Sequence, residues 1–168
     1  MNKSNIQKAV QYALVCAMVV MTANLLSYLS GFIFWFFGLG ALVTNGLVFL
    51  IVFIVVMMQW KKGFEEITYG QAFKFGLMLI GFYVVIMFIY ELLFKYLIAP
   101  NFNQELKDHI MNALERMHVP ADKLDDTAKK FDNPPPPLVA GLYSLMYRVV
   151  VDAIILSIVA IFARKEKG

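Results

Sequence analysis

The sequence predicts an all-α, polytopic membrane protein with four transmembrane helices and an extracytoplasmic helical hairpin between the third and fourth helices. Of its 168 residues, 60% are hydrophobic and only 16% are charged, whereas soluble domains carry about a quarter charged residues. Charged residues are also absent from long internal stretches and gather at their ends. That distribution is typical of helices that cross a lipid bilayer.

The first two helices are predicted from one uncharged stretch. From Ala9 to Trp60 there is no Asp, Glu, Lys or Arg, and this stretch is more than twice as long as the roughly 20 residues that one span needs. The aromatic-rich residues 32–37, which lie between glycines, suit the headgroup boundary and mark a turn. We therefore expect helix 1 at about residues 9–29 and helix 2 at about residues 41–60. The apolar run is too long for a signal peptide, so we expect helix 1 to be retained.

The third and fourth helices have clearer ends. Thr68 and Gln71 have the spacing of a capping box, in which a hydroxyl and an amide each satisfy a free backbone donor. This pattern predicts that helix 3 begins at about residue 69, and its apolar run continues to about residue 98. Helix 4 is expected at about residues 138–163, before a basic tail. The chain is therefore predicted to form one membrane domain over residues 1–168.

The orientation follows from the basic residues in the short flanks, which stay preferentially in the cytoplasm. The first loop has none, whereas the second loop and both tails carry Lys3, Lys8, Lys61, Lys62, Arg164, Lys165 and Lys167. The third loop, residues 100–137, has five basic and seven acidic residues and is less decisive. We therefore expect both termini in the cytoplasm.

The third loop is predicted to contain an amphipathic helix. Its apolar residues recur at steps of three or four and form the loop interaction face Phe102, Leu106, Ile110, Ala113 and Met117. Pro120 interrupts this helix, a shorter one follows, and residues 134–137 form a stiff proline spacer. The apolar face either packs on the bundle and the headgroups or docks a partner protein, and the sequence leaves both interpretations open.

Metal binding is not expected. His109 and His118 are nine positions apart, so on one continuous helix they point to opposite sides. The single cysteine, Cys16, lies in an apolar run and allows neither an intramolecular disulfide nor a cysteine cluster.

An intramembrane charge cluster is predicted from Glu91, Arg148 and Asp152. Arg148 and Asp152 share one arc of helix 4 with Gly141 and Ser144, and this arc should face the bundle. Both Arg148 and Glu91 enter the membrane from the extracytoplasmic side, so the two can meet. The alternative pairs Glu91 with Lys95 and leaves Arg148 to Asp152 alone. Such a cluster either locks helices together or serves transport.

A helix-packing face is predicted on helix 1. Ala9, Ala13, Ala17 and Asn24 lie on one side of the helix, with small residues at every fourth position, which permits close approach of two backbones. Ala72 and Gly76 on helix 3 could supply the complementary surface.

The segment Glu66 to Gly76, EITYGQAFKFG, follows a Lys-rich turn and opens the third helix. This segment resembles the signature of a bacterial membrane family, domain-of-unknown-function family 4199. The order of the other segments along the chain also resembles this family: two apolar helices, this segment, a charged helical loop and a final span. The resemblance implies a small inner-membrane protein and no known activity. Family members often place a glutamate and a proline in the last helix, where this chain has residues 147–152, and the four-proline spacer is unusual.

The function that the sequence favours is non-enzymatic. No phosphate-binding loop, nucleophile elbow, zinc motif or dinucleotide turn is present. We expect an accessory or scaffold subunit of the bacterial inner membrane that contacts lipid and binds another envelope protein or itself, without a cofactor. The alternative is a small transporter or channel component, and a lipid-handling enzyme is a third class. Nucleic acid is not expected, because the basic residues lie at helix ends and do not form a stripe.

Overall fold

A computed structural model describes residues 3–31, 46–132 and 135–164. Within these residues 87% are helical and no strand is found. The six α-helices are α1 (Lys3–Leu29), α2 (Val48–Lys61), α3 (Tyr69–Leu93), α4 (Phe102–Arg116), α5 (Ala121–Asp132) and α6 (Pro137–Ala163). A π-helical segment, Phe94–Ile98, continues α3.

Three of these elements are long and apolar enough to cross a membrane, namely Ser4–Leu29, Tyr69–Ile98 and Leu138–Ala163. This finding indicates a membrane protein. The described part of α2 has 14 residues, which is shorter than one span. The expected turn at residues 32–40 and the expected start of helix 2 at residue 41 lie outside the described residues.

α1 begins several residues before the position expected from hydropathy. The expected start, Ala9, is the first residue of the long uncharged stretch, but residues 3–8 already belong to the helix. Hydropathy measures where a helix enters lipid, whereas backbone hydrogen bonding extends into the headgroup region. No proline precedes Ala9 to prevent that extension.

The capping box at the start of α3 is confirmed. The backbone N–H of Gln71 donates to Thr68 Oγ1 at 3.3 Å, and the backbone N–H of Thr68 donates to Gln71 Oε1 at 2.9 Å. At the other end the π-helical segment closes with a bond from the Ala99 N–H to the Phe94 carbonyl at 2.8 Å.

α1 runs parallel to α3. Near the start of both helices, the rings of Tyr12 and Phe75 lie 6.3 Å apart between centroids. Near their ends, the rings of Tyr28 and Phe94 lie 5.2 Å apart. We call the level of Phe75 the first end of the bundle and the level of Phe94 the second end.

α2 and α6 run in the opposite direction. The Trp60 ring, near the end of α2, stacks on Phe75 at 4.2 Å, and Lys61 Nζ donates to the Phe162 carbonyl of α6 at 3.0 Å. The start of α1 and the end of α6 therefore lie together at the first end. Phe49, earlier in α2, stacks on Tyr83 in the middle of α3 at 4.4 Å.

Small residues set the closest approaches in the bundle. The predicted packing face of α1 is buried, since Ala9, Ala13, Ala17 and Asn24 are at most 4% exposed. Gly76 lies at the contact between α3 and α6. A Cβ placed on Gly76 would overlap Leu156 Cδ1, so this glycine permits α6 to approach α3.

Candidate functional site

The interior charges meet in the half of the bundle nearer the second end. Arg148 Nη2 of α6 lies 2.6 Å from Glu91 Oε1 of α3, and the two side chains are 17% and 18% exposed. The Ser144 hydroxyl donates to the same Glu91 oxygen at 3.1 Å. One carboxylate oxygen therefore accepts from two groups of the neighbouring helix, which joins α3 to α6 by polar contacts.

A small residue two turns before Arg148 lies at the same contact between α3 and α6. A Cβ placed on Gly141 would lie 3.0 Å from Phe88 Cε2 of α3. The lack of a side chain at Gly141 thus lets the two helices approach closely at this level. Ser144, three positions later, is short enough to reach Glu91 across the same contact.

Asp152 lies one turn deeper and is only 6% exposed. Its Oδ2 atom is buried and has no hydrogen-bond partner among the described residues. No oxygen of Asp152 lies within 4.0 Å of an Arg148 guanidinium nitrogen, and no such ion pair joins Glu91 to Lys95 either. Of the two predicted arrangements, the structure contains the cross-helix pair, and Asp152 stands apart from it.

The surroundings of Asp152 come from three helices. Tyr83 of α3 and Cys16 of α1 both lie within electrostatic range of Asp152, and they are 2% and 0% exposed. Arg148 also lies within this range, and its Nη1 atom is buried without a hydrogen-bond partner in the described part of the chain. A buried cation and a buried carboxyl thus each retain one unpartnered atom.

Tyr83 is the neighbour that sequence reasoning missed. It precedes Glu91 by eight positions on α3, and Met87 lies between them at the same helical spacing. This spacing was available as a signal, because it places Tyr83 on the face that carries Glu91. The apolar character of that face gave no reason to single it out.

The predicted loop interaction face divides in the structure. Phe102 and Leu106 are each 9% exposed and form a small core with Phe94 and Ala99. The Phe102 ring lies 5.8 Å from the Phe94 ring and 6.3 Å from the Tyr28 ring.

The remaining apolar residues of that face are less covered. Ile110 packs partly against the same small core, whereas Met117 is 73% exposed. The first half of this face therefore packs on the bundle, and its end remains accessible.

α4 and α5 contact each other beyond this docking point. The ammonium of Lys107 pairs with the carboxylate of Asp132, which joins the first half of α4 to the end of α5. Between the helices, His118 adopts φ 55°. The N–H groups of Val119 and His118 donate to the carbonyls of Leu114 and Glu115, which is the Schellman arrangement of a helix C-terminus.

The described residues offer no cluster of three or more His, Cys, Asp or Glu side chains that could hold a metal ion. Within the described part of α4 and its turn, His109 and His118 are both exposed.

Comparison with known proteins gives a family. A family model described as "Protein of unknown function (DUF4199)" matches residues 11–165. The chain belongs to the DUF4199 family. This match confirms the resemblance predicted from the segment Glu66 to Gly76. The matched region of this DUF4199 protein includes α4, α5 and the charged residues Glu91, Arg148 and Asp152. No curated protein and no solved structure matches the chain.

Proposed function

We propose that this DUF4199 protein is a non-enzymatic accessory or scaffold subunit that presents α4 and α5 to another envelope protein or to a second copy of itself. The observation that carries this proposal is the docking of α4. Phe102 and Leu106 fix one end of α4 on the bundle, while the charged side chains along α4 and α5 stay largely exposed. A surface that is held rigidly and remains accessible is suited to protein binding.

The interior charges support a structural role for the bundle. Glu91 pairs with Arg148 and accepts a hydrogen bond from Ser144, so its carboxylate takes part in a contact between α3 and α6. A carboxylate held in this way is poorly suited to release and rebind a substrate. It is well suited to fix the relative position of two helices in lipid, where polar contacts join helices.

The proposal includes four spans with both termini in the cytoplasm of a bacterial inner membrane. The antiparallel course of α2 supports the fourth span, because a chain that returns along α1 must cross the bilayer again. The start of α1 and the end of α6 lie at the bundle end that carries Lys8, Lys61 and Arg164. Basic residues favour the cytoplasmic side.

Cysteine labelling tests this topology. In a Cys16→Ser background, Lys123→Cys on α5 should react with an impermeant thiol reagent in spheroplasts. Lys62→Cys, beside the first end of the bundle, should react only after lysis. The reverse labelling pattern would refute the orientation, and labelling of both positions before lysis would refute the four-span arrangement.

Photocrosslinking in living cells tests the scaffold role. A photoreactive amino acid at the exposed positions His109 or Asp125 should give a protein adduct of discrete mass, whether with a partner or with a second copy. The same residue at Ile51, which is 62% exposed on the apolar bundle surface, serves as the control. Adducts from Ile51 but none from α4 or α5 would contradict the proposal.

Asp152 favours a second candidate function, a small transporter or channel component. A buried carboxyl with an oxygen that finds no partner among the described residues is the kind of group on which ion pathways in membranes are built. Reconstituted protein would then raise the ion flux of sealed liposomes, and Asp152→Asn would abolish the increase. An equal ion flux in liposomes with and without the protein would exclude this candidate.

A further inference from the structure

The strongest unexplained feature of the bundle is a pair of unpartnered polar atoms of opposite character. Arg148 Nη1 is a donor, Asp152 Oδ2 is an acceptor, and neither has a partner among the described residues. Both are enclosed by protein, since each atom exposes less than 1 Å². Buried groups of this kind are rarely left without a hydrogen bond, because dehydration without a new partner is costly.

The two groups cannot satisfy each other in the observed arrangement. Arg148 and Asp152 are one turn apart on α6, so their Cβ atoms are neighbours about 5–6 Å apart. Their charged atoms nevertheless lie more than 4.0 Å from each other. Arg148 Nη2 is fixed at 2.6 Å from Glu91, so rotation of the guanidinium toward Asp152 would break the contact between helices.

We propose that an enclosed water molecule bridges Arg148 Nη1 and Asp152 Oδ2. A water accepts from a nitrogen at about 2.9 Å and donates to an oxygen at about 2.8 Å, so it spans a gap that is too wide for direct contact. It also satisfies a donor and an acceptor together, which no monatomic ion does.

Other occupants fit this position less well. A metal cation at Asp152 would lie beside the guanidinium of Arg148, and an anion at Arg148 would lie between the carboxyl groups of Glu91 and Asp152. Tyr83 and Cys16 also lie within electrostatic range of Asp152, and both are nearly or fully buried. A small neutral molecule that can both donate and accept suits the site, and this inference does not depend on the proposed function.

Hydroxyl-radical footprinting by X-ray radiolysis of water tests the proposal on the whole protein in lipid nanodiscs. Radicals that form at a bound water modify adjacent side chains, even in an interior closed to solvent. We expect modification of Tyr83 and Cys16 at rates well above that of Met57. Met57 is the matched control, because it is also 0% exposed but lies in the core between α2 and its neighbours, toward the first end.

Two substitutions distinguish a bridging water from general leakage of solvent. Asp152→Asn keeps a polar group beside Arg148 and should retain the modification of Tyr83. Asp152→Leu removes the acceptor and should reduce that modification to the level of Met57. Equal modification of Tyr83 and Met57 in the unchanged protein would overturn the proposal, and this comparison holds even if the leucine variant does not fold. Unchanged modification in a folded leucine variant would also overturn it.

Discussion

The contact between α3 and α6 has two halves that are built differently. Toward the first end, Gly76 lies so close to Leu156 that an added Cβ would overlap the leucine. Toward the second end, Glu91 accepts from Arg148 and Ser144. Apolar side chains gain little by leaving lipid for each other, so helices in membranes associate through shape or through polar contacts. A glycine permits close approach in both halves, and the second half adds a charged contact.

The largest effect is expected in the charged half. Replacement of Arg148 by methionine would leave the Glu91 carboxylate largely buried without its cation, which typically costs about 3–5 kcal/mol at a fully buried pair. Because both side chains retain some exposure, we expect the free energy of unfolding in detergent to fall by about 3 kcal/mol.

Lys74→Met is the matched control for that variant. Lys74 lies on the same pair of packed helices but its side chain is exposed, so its loss should change the free energy of unfolding by less than about 0.5 kcal/mol. Equal effects of the two substitutions would indicate that the ion pair contributes little to the contact.

The apolar half should respond to an added methyl group. In Gly76→Ala the new Cβ must displace Leu156, and overpacking of this kind costs about 1–3 kcal/mol. Gly81→Ala, on the same helix, meets nothing within 4 Å and should gain up to about 1 kcal/mol from helix propensity. Thermal or denaturant unfolding should therefore separate the two alanine variants by about 2 kcal/mol.

Leu156→Ala provides the complementary test of that half. It removes the side chain that the new Cβ of Gly76→Ala would overlap. When the two substitutions are combined, Gly76→Ala should therefore lower the free energy of unfolding by less than it does alone. A Gly76→Ala protein as stable as Gly81→Ala would show that shape is not what holds this half together.

Substitution where α4 docks on the second end should destabilise α4 locally and affect the whole protein less than the substitutions between α3 and α6. Phe102→Ala removes ring contacts with Tyr28 and Phe94, each worth about 1 kcal/mol. Hydrogen–deuterium exchange should accelerate in α4 while the exchange of α3 changes little. Met117→Ala, at a position that is 73% exposed, should leave both unchanged. If exchange in α4 stays slow in the Phe102→Ala protein, Phe102 is not the residue that holds α4 on the bundle.

The smallest effect is expected at the turn between α4 and α5. His118 holds φ 55°, a left-handed conformation that glycine adopts without steric cost. His118→Gly should raise the free energy of unfolding by about 0.5 kcal/mol or leave it unchanged, because the greater freedom of glycine in the unfolded chain offsets part of the gain. A β-branched His118→Val should lower it by about 1 kcal/mol. The opposite order of the two variants would contradict the assigned turn.

Much of the fold could be predicted from local patterns. The capping box fixes the start of α3, because Thr68 and Gln71 satisfy each other within four residues. Helical periodicity also places Gly141, Ser144 and Arg148 on one arc of α6. These features depend on neighbours along one helix, which the sequence records directly.

Spacing along the chain does not decide between alternative partners, because it allows several. Arg148 can reach Asp152 along its own helix or Glu91 across the bundle, and only the relative position of α3 and α6 selects Glu91. The same limit applies to Gly76, which could face α1 or α6, and to Phe102, whose apolar face could cover the bundle or a partner. The bond from Lys61 to a backbone carbonyl of α6 leaves no pattern in the sequence.

The central claim is that Glu91 and Arg148 are coupled across the contact of α3 and α6, and a double-mutant cycle measures that coupling directly. Unfolding in detergent is followed for the original protein, Glu91→Gln, Arg148→Met and the double variant. Loss of the cation should cost less once Glu91 is neutral, so we predict a coupling energy of at least about 1 kcal/mol. Effects that add within about 0.3–0.5 kcal/mol would contradict the account.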